Sequence, residues 1–258
     1  MKRIYTDKLV PNADESIIID HSPDDLVYLQ YTSGSTSAPK GVRILMRNLM
    51  SQLEQCADVY DFSNSKLATW VPFFHNLGLV ITILMPICAH GAVIYHIPTN
   101  LFMSNPKIWI RLMSDEKINL TVGPGSAYEI ETRIFTERES EEIDLSHTTH
   151  LMNGSELVSP KTIRTFAEKF KAPLAASAPG YGLAECVCLA SVAAEDYRVL
   201  KLDPEKFYRR KAVLSDSEDA KEIVSLGRPV KGLTILAVNT KTHTALPEME
   251  IGEKIGRA

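Results

Sequence analysis

Apolar runs recur along the chain, alternating between strand and helix signatures. The first, Leu26-Val27-Tyr28-Leu29-Gln30-Tyr31, is rich in β-branched and aromatic residues and predicts a buried strand. Apolar positions at Leu49, Leu53, Cys56 and Tyr60, three or four apart, predict an amphipathic helix over 46–60. Ala68-Thr69-Trp70-Val71 predicts a second strand, 78–87 a buried helix, and Ala92-Val93-Ile94-Tyr95 a third strand. Pro106 opens a helix reaching Met113, because proline suits a first helical turn. Ile118 to Val122 is the next strand, closed by Gly123-Pro124-Gly125. His150 to Asn153 is another strand, Lys161 to Phe170 a helix, and Cys186 to Ala193 a further apolar segment. This alternation predicts an α/β fold, a mostly parallel sheet layered with helices.

After Ala194 the pattern thins. Residues 201–222 are densely charged, and Leu233 to Val238 is the one clear strand beyond them. A boundary near residue 195 is expected, with a core over 1–195 and the start of a smaller β-rich subdomain over 196–258. No fixed-period repeat interrupts either part.

Composition narrows the function classes. With 258 residues, 45% hydrophobic and 23% charged, the chain can bury a substantial core and is not a disordered or fibrous polypeptide. Lys and Arg number 28 against 32 Asp and Glu, so the basic excess of a nucleic-acid binder is missing. Four cysteines are too few and scattered for a disulfide scaffold, which points to a reducing cytoplasmic compartment. The opening Met1-Lys2-Arg3-Ile4-Tyr5-Thr6-Asp7 has no apolar core of a signal peptide. The longest apolar run, Leu77 to Ala89, is shorter than the ~20 residues of a spanning helix and contains Pro86, so no membrane span is expected.

The densest chemical signal is Thr32-Ser33-Gly34-Ser35-Thr36-Ser37-Ala38-Pro39-Lys40-Gly41. Hydroxyls and backbone N–H groups can surround phosphate oxygens, and a lysine adds a mobile positive charge. The segment is not a Walker loop: counted from Gly34, the second glycine of that pattern falls on Pro39, and Gly41 follows the lysine where Ser or Thr belongs. Its predicted position between a buried strand and a helix argues against a solvent-exposed linker.

Residues 31–42 resemble the phosphate loop of the adenylate-forming superfamily, which includes acyl-CoA synthetases, luciferases and peptide-synthetase adenylation domains. Trp70-Val71-Pro72 with His75-Asn76-Leu77-Gly78-Leu79 is similar to the next block, where Asp is more usual than Asn76. Asn153-Gly154-Ser155-Glu156 resembles the adenine-binding segment, and Tyr181-Gly182-Leu183-Ala184-Glu185 the aromatic-Gly-x-x-Glu block. Gly227-Arg228-Pro229 and Ile251-Gly252-Glu253 match later landmarks, so the likeness extends over about residues 25–255. Ala184 in place of Thr, the stretches 102–109 and 119–128, and the charged insertion-like segment before Gly227 are most similar to the fatty-acyl-AMP ligases.

The resemblance implies ATP-dependent activation of a fatty acid to an acyl-adenylate, with ATP and Mg²⁺ as cofactors. An acyl carrier protein or polyketide synthase would be the partner. Thr32, Ser33, Gly34, Ser35, Thr36 and Lys40 would hold the outer phosphates, Glu185 the Mg²⁺, and Tyr181 the adenine face. Asn153, Gly154, Ser155 and Glu156 would line the edge of the base, with Gly182 and Ala184 alongside, and His75 would lie near the acyl carboxylate. His75, Lys40 and Glu185 are the catalytic candidates. An acyl-CoA synthetase and a non-catalytic nucleotide- or acyl-binding module are the competing readings.

Other chemistry-bearing residues have plainer readings. Cys186 and Cys188 read as packing, His147 and His150 as solvated loop histidines, Glu137 to Asp144 as a solvated helix surface, and Met46, Met50, Met85, Met103 and Met113 as core filling. The family's ribose-binding Asp and its C-terminal domain with a catalytic Lys have no counterpart. The chain is therefore expected to be the central part of a larger enzyme or a shortened relative.

Overall fold

Short strands of small and apolar residues build a seven-stranded sheet covered on both faces, the arrangement that parallel strands require. A computed structural model describes residues 20–32, 40–89 and 91–257. The chain enters through an antiparallel hairpin, β1 (Leu26–Thr32) and β2 (Lys40–Leu45), and continues into helix α1 (Met46–Ala57). Strand β3 (Lys66–Thr69) is followed by a π-helix at Leu77–Leu84, which runs on as α2 (Met85–Ala89). Then come β4 (Val93–His96), α3 (Thr99–Ser104), α4 (Ile108–Asp115), β5 (Leu120–Gly123), α5 (Gly125–Ile134) and α6 (Glu137–Glu141). They lead to β6 (His150–Asn153), α7 (Pro160–Lys169), β7 (Ser177–Gly182) and β8 (Leu189–Val192). The last stretch holds β9 (Val199–Leu202), α8 (Pro204–Tyr208), β10 (Lys221–Val224), β11 (Arg228–Pro229), β12 (Thr234–Val238) and β13 (Glu253–Arg257).

Across the main sheet the order is β4-β3-β5-β6-β7-β8-β11. Neighbours from β4 to β7 run parallel, whereas β7–β8 and β8–β11 are antiparallel. Alternation along each strand divides the core. Leu67, Leu120, Val122 and Met152 face Leu49, Leu53 and Cys56 of α1 and Val80, Ile81 and Met85 of the helical run after β3. Ala68 and Leu151 face Trp109, Ile110 and Met113 of α4 and Phe166 and Phe170 near the end of α7. A short hydrogen-bonded chain crosses this second layer: Trp109 Nε1 donates to Thr121 Oγ1 at 2.8 Å, and that hydroxyl donates to the Ala68 carbonyl at 2.7 Å.

Several sequence expectations need correction. The run at 26–31 is a strand but not a buried one: Leu26, Leu29 and Tyr31 are exposed, because β1 pairs only with β2 outside the main sheet. Lys40 opens a second strand, so the hydroxyl-rich segment joins two paired strands rather than a strand and a helix, and α1 begins only at Met46. Met85 and Met113 fill the core as expected, but Met50 and Met103 lie at the surface. Neither candidate loop histidine is solvated as expected. His147 is half-buried with Nε2 3.1 Å from the Ile118 carbonyl, and His150 opens β6 edge-on to the Tyr60 ring. The charged stretch after residue 195 forms the antiparallel β9–β10 hairpin, which sequence patterning missed.

Candidate adenylate-binding site

Ligands of open parallel sheets bind beyond the carboxyl ends of the strands, and a cavity of about 310 Å³ opens there. Its rim comes from three separate segments: His75, Asn76 and Leu77 leading into the π-helix; Asn153, Gly154 and Ser155 after β6; and Tyr181, Gly182, Leu183 and Ala184 after β7. Gln30 and Tyr31 of β1 close one side. The interior is apolar, walled by Ile81, Val122, Met152, Ala178, Leu189 and Val192, with Tyr60 and Cys188. A sleeve of this kind, with polar groups gathered at the mouth, suits an amphipathic ligand.

Backbone proximity explains the glycines. A Cβ on Gly182 would stand 1.9 Å from the Cys188 carbonyl oxygen, and one on Gly154 would stand 3.1 Å from the Gly180 oxygen. The chain therefore passes close enough to shape the rim only where side chains are absent.

His75 is half-buried, and burial lowers its pKa, favouring the neutral ring. Its Nδ1 accepts the Leu77 N–H at 3.2 Å, which assigns the ring proton to Nε2. The site thus holds a neutral donor at its mouth. Asn76 accepts the same N–H at 2.9 Å through Oδ1 and donates Nδ2 to the Val187 carbonyl at 3.2 Å. A carboxylate here would face that carbonyl without a proton to share, which gives Asn76 a physical reason in place of the usual Asp.

The expected residues divide into three groups. His75, Asn153, Gly154, Ser155, Tyr181, Gly182 and Ala184 share the cavity. Three others do not line it. Lys40 is exposed at the start of β2 and Glu185 is exposed on the short turn Ala184–Cys186. The Glu156 carboxylate accepts the Ser126 N–H in the first turn of α5. Ser33, Gly34, Ser35 and Thr36 lie outside the described residues, and Thr32 ends β1. Among the described residues no group of three or more His, Cys, Asp or Glu stands together as a metal cage. A lone exposed carboxylate still suits Mg²⁺, which takes one or two protein carboxylates and completes its shell with phosphate oxygens and water.

Sequence reasoning missed four contributors. Tyr60 read as one more apolar position on a helix face, Gln30 as part of a strand, and Cys188 as packing. Gln52 gave no signal at all. It is 1% exposed, and its Oε1 accepts the N–H groups of Cys188 and Leu189 at 2.9 and 2.6 Å, fixing the turn that carries one cavity wall.

The fold is an α/β domain with a mostly parallel sheet and a cavity beyond its carboxyl edge, and the comparisons give its family. Residues 4–255 match the family described as AMP-binding enzyme, and the chain belongs to it. It is 33% identical over 245 residues to the medium-chain-fatty-acid–acyl-carrier-protein ligase JamA of Moorena producens, covering 91% of this chain and 41% of that one. It is 30% identical over 246 residues to a putative fatty-acid–CoA ligase of Mycobacterium tuberculosis, covering 90% and 42%. The chain thus spans about two fifths of the length of these relatives. Among solved structures it superposes on a fatty acyl-adenylate ligase from work on the E. coli and L. pneumophila enzymes, with TM-score 0.86, 29% identity and coverage of 96% and 46%. The L. pneumophila fatty acyl-adenylate ligase in complex with acyl adenylate and pyrophosphate gives 0.84 at 27% identity, covering 93% and 43%.

Proposed function

We propose that this chain carries the ATP- and acyl-binding core of an enzyme that activates a fatty acid as its acyl-adenylate and passes the acyl group to a carrier-protein thiol. The observation that supports it most is the single cavity joining His75 with the 153–155 and 181–184 segments above an apolar interior. Residues 1–195 form this core in the proposal, and residues 196–258 contribute the insertion-like segment and the start of a β-rich subdomain.

In the proposed reaction an oxygen of the carboxylate bonds to the α-phosphorus while the bond to the bridging oxygen breaks and pyrophosphate leaves. Two anions repel, so the protein must neutralise charge and align the reacting atoms. Neutral His75 suits this work, because its Nε2–H can donate to an anionic oxygen without itself attracting a solvation shell. Tyr181 would cover the adenine face, with Asn153, Gly154 and Ser155 along the edge. In this reading Glu156 acts through the 153–156 turn, since its carboxylate is engaged by Ser126. Lys40, with Thr32, Ser33, Gly34, Ser35 and Thr36, would hold the outer phosphates, and Glu185 would hold Mg²⁺. The cation would supply further neutralisation of phosphate charge.

Among the described residues no helix is long and apolar enough to cross a membrane. All four cysteines are free thiols, which supports a reducing cytoplasmic setting. Coenzyme A is the alternative acceptor, favoured by the name of the M. tuberculosis relative. The test is ATP–pyrophosphate exchange with a panel of fatty acids, followed by mass spectrometry of the product with a carrier-protein thiol or CoA. Fatty-acid-dependent exchange is expected. ATP binding without exchange for any acid would leave a nucleotide-binding module and overturn the proposal.

A further inference from the structure

Strand register shows where the cavity ends. Val122, Met152 and Ala178 lie side by side across β5, β6 and β7, and all three line it. One step deeper on the same face, Leu120 pairs with His150, and neither lines it. That level is filled by Tyr60, 2% exposed, whose ring meets the His150 ring edge-on at 5.1 Å. Tyr60 also lines the cavity, so it forms the floor. Phe62 packs edge-on behind it at 5.9 Å and keeps the ring from retreating.

We infer that Tyr60 is a specificity-determining residue that limits the bound acyl chain to medium length. This rests on the reading of the cavity as the acyl site with the carboxylate at the His75 rim. From Gly154 at the rim to His150 at the floor is four residues of strand, ~13 Å at about 3.3 Å per residue. The thickness of the tyrosine ring leaves about 10 Å of that depth. An extended alkyl chain with ~1.5 Å C–C bonds advances roughly 1.3 Å per carbon. Roughly eight carbons therefore fit before the chain meets the ring. Each methylene that enters the sleeve tightens binding about fourfold, and the first that cannot enter gains nothing or clashes.

The test is calorimetric titration of saturated straight-chain carboxylates from four to sixteen carbons, in the presence of AMP, on the whole chain. Affinity is expected to rise about fourfold per carbon up to roughly eight carbons and then to flatten or fall. In Tyr60→Leu the optimum should move about two to four carbons longer, since the far half of the ring is removed. Tyr60→Phe keeps the ring and should keep the cut-off. A wild-type profile that climbs steadily to sixteen carbons, or a cut-off lost in Tyr60→Phe, would overturn the role of Tyr60 and leave adenylation standing. AMP binding with no carboxylate bound at any length would instead overturn the acyl reading itself. The wild-type profile decides the matter even if Tyr60→Leu fails to fold.

Discussion

Glu131 of α5 is 0% exposed, and neither carboxylate oxygen has a hydrogen-bond partner among the described residues. Burial pushes its pKa from 4.5 up to about 8, with nearby Lys107 opposing the shift. Lys107 gives only partial relief because it is occupied by Glu139 at 2.6 Å. The native state therefore holds the Glu131 proton more tightly than the unfolded chain does. Its contribution to stability is whole below about 4.5 and is lost as pH rises through about 8. Integrated between pH 5.5 and 8.5, that shift amounts to about 3 kcal/mol lost. Glu131→Gln cannot ionise, so its stability should lack this slope, and the variant should overtake the wild type on the alkaline side. Urea unfolding followed by circular dichroism at the two pH values, on both proteins, measures the difference. Equal pH dependence in the two, within about 0.5 kcal/mol, would refute a buried neutral carboxyl at this position.

Three further outcomes are expected at the site. Lys40→Ala should weaken ATP binding more than AMP binding, because the proposal places Lys40 on the outer phosphates; calorimetry with both nucleotides checks it. Glu185→Gln should lower adenylation at limiting Mg²⁺ while moving the thermal midpoint little, since Glu185 is exposed. His75→Phe should cost roughly 10²–10³ in adenylation rate by deleting a donor to the anionic transition state, read by pyrophosphate exchange.

The legible parts of the sequence were those where local pattern and tertiary role coincide. Helix α1 showed through its three-and-four spacing, and β5 and β6 through short runs buried on both faces. Strand β7 was illegible because Ser177-Ala178-Pro179-Gly180-Tyr181-Gly182 has almost no strand propensity. Its small residues are there because the backbone passes closely between neighbours: a Cβ on Gly180 would stand 3.1 Å from the Ser191 oxygen. The exposure of β1 was equally hidden, since an apolar strand reads the same whether it sits inside a sheet or in a hairpin beside it. Motif spacing located His75, Tyr181 and the 153–156 segment, but Gln52 and Tyr60 act across more than a hundred residues of chain or through a ring contact, and no local pattern announces either.

Gln52 and Asn76 converge on one short turn. Val187 sits there at φ +65, a strained conformation for a β-branched residue. Asn76 donates to the Val187 carbonyl, and Gln52 accepts from the next two N–H groups. Both are carboxamides, which can donate and accept without carrying charge into a buried site. Deleting Gln52 takes its acceptor from the Leu189 N–H and leaves the Cys188 N–H only the Cys186 carbonyl at 2.7 Å, and deleting Asn76 takes its donor from the Val187 carbonyl, at about 1–3 kcal/mol for each group left unpaired. Once one side chain is gone, the strained turn can relax, and the other then has less to hold. The costs of Gln52→Leu and Asn76→Ala should therefore not add: the double variant should lose less than the sum, by about 0.5–3 kcal/mol. Ala184, Cys188 and Leu189 from this turn line the cavity, so AMP affinity should show the same sub-additive pattern. Additivity within about 0.3–0.5 kcal/mol in denaturant unfolding would mean that the two amides act independently and that the turn is held by its own backbone.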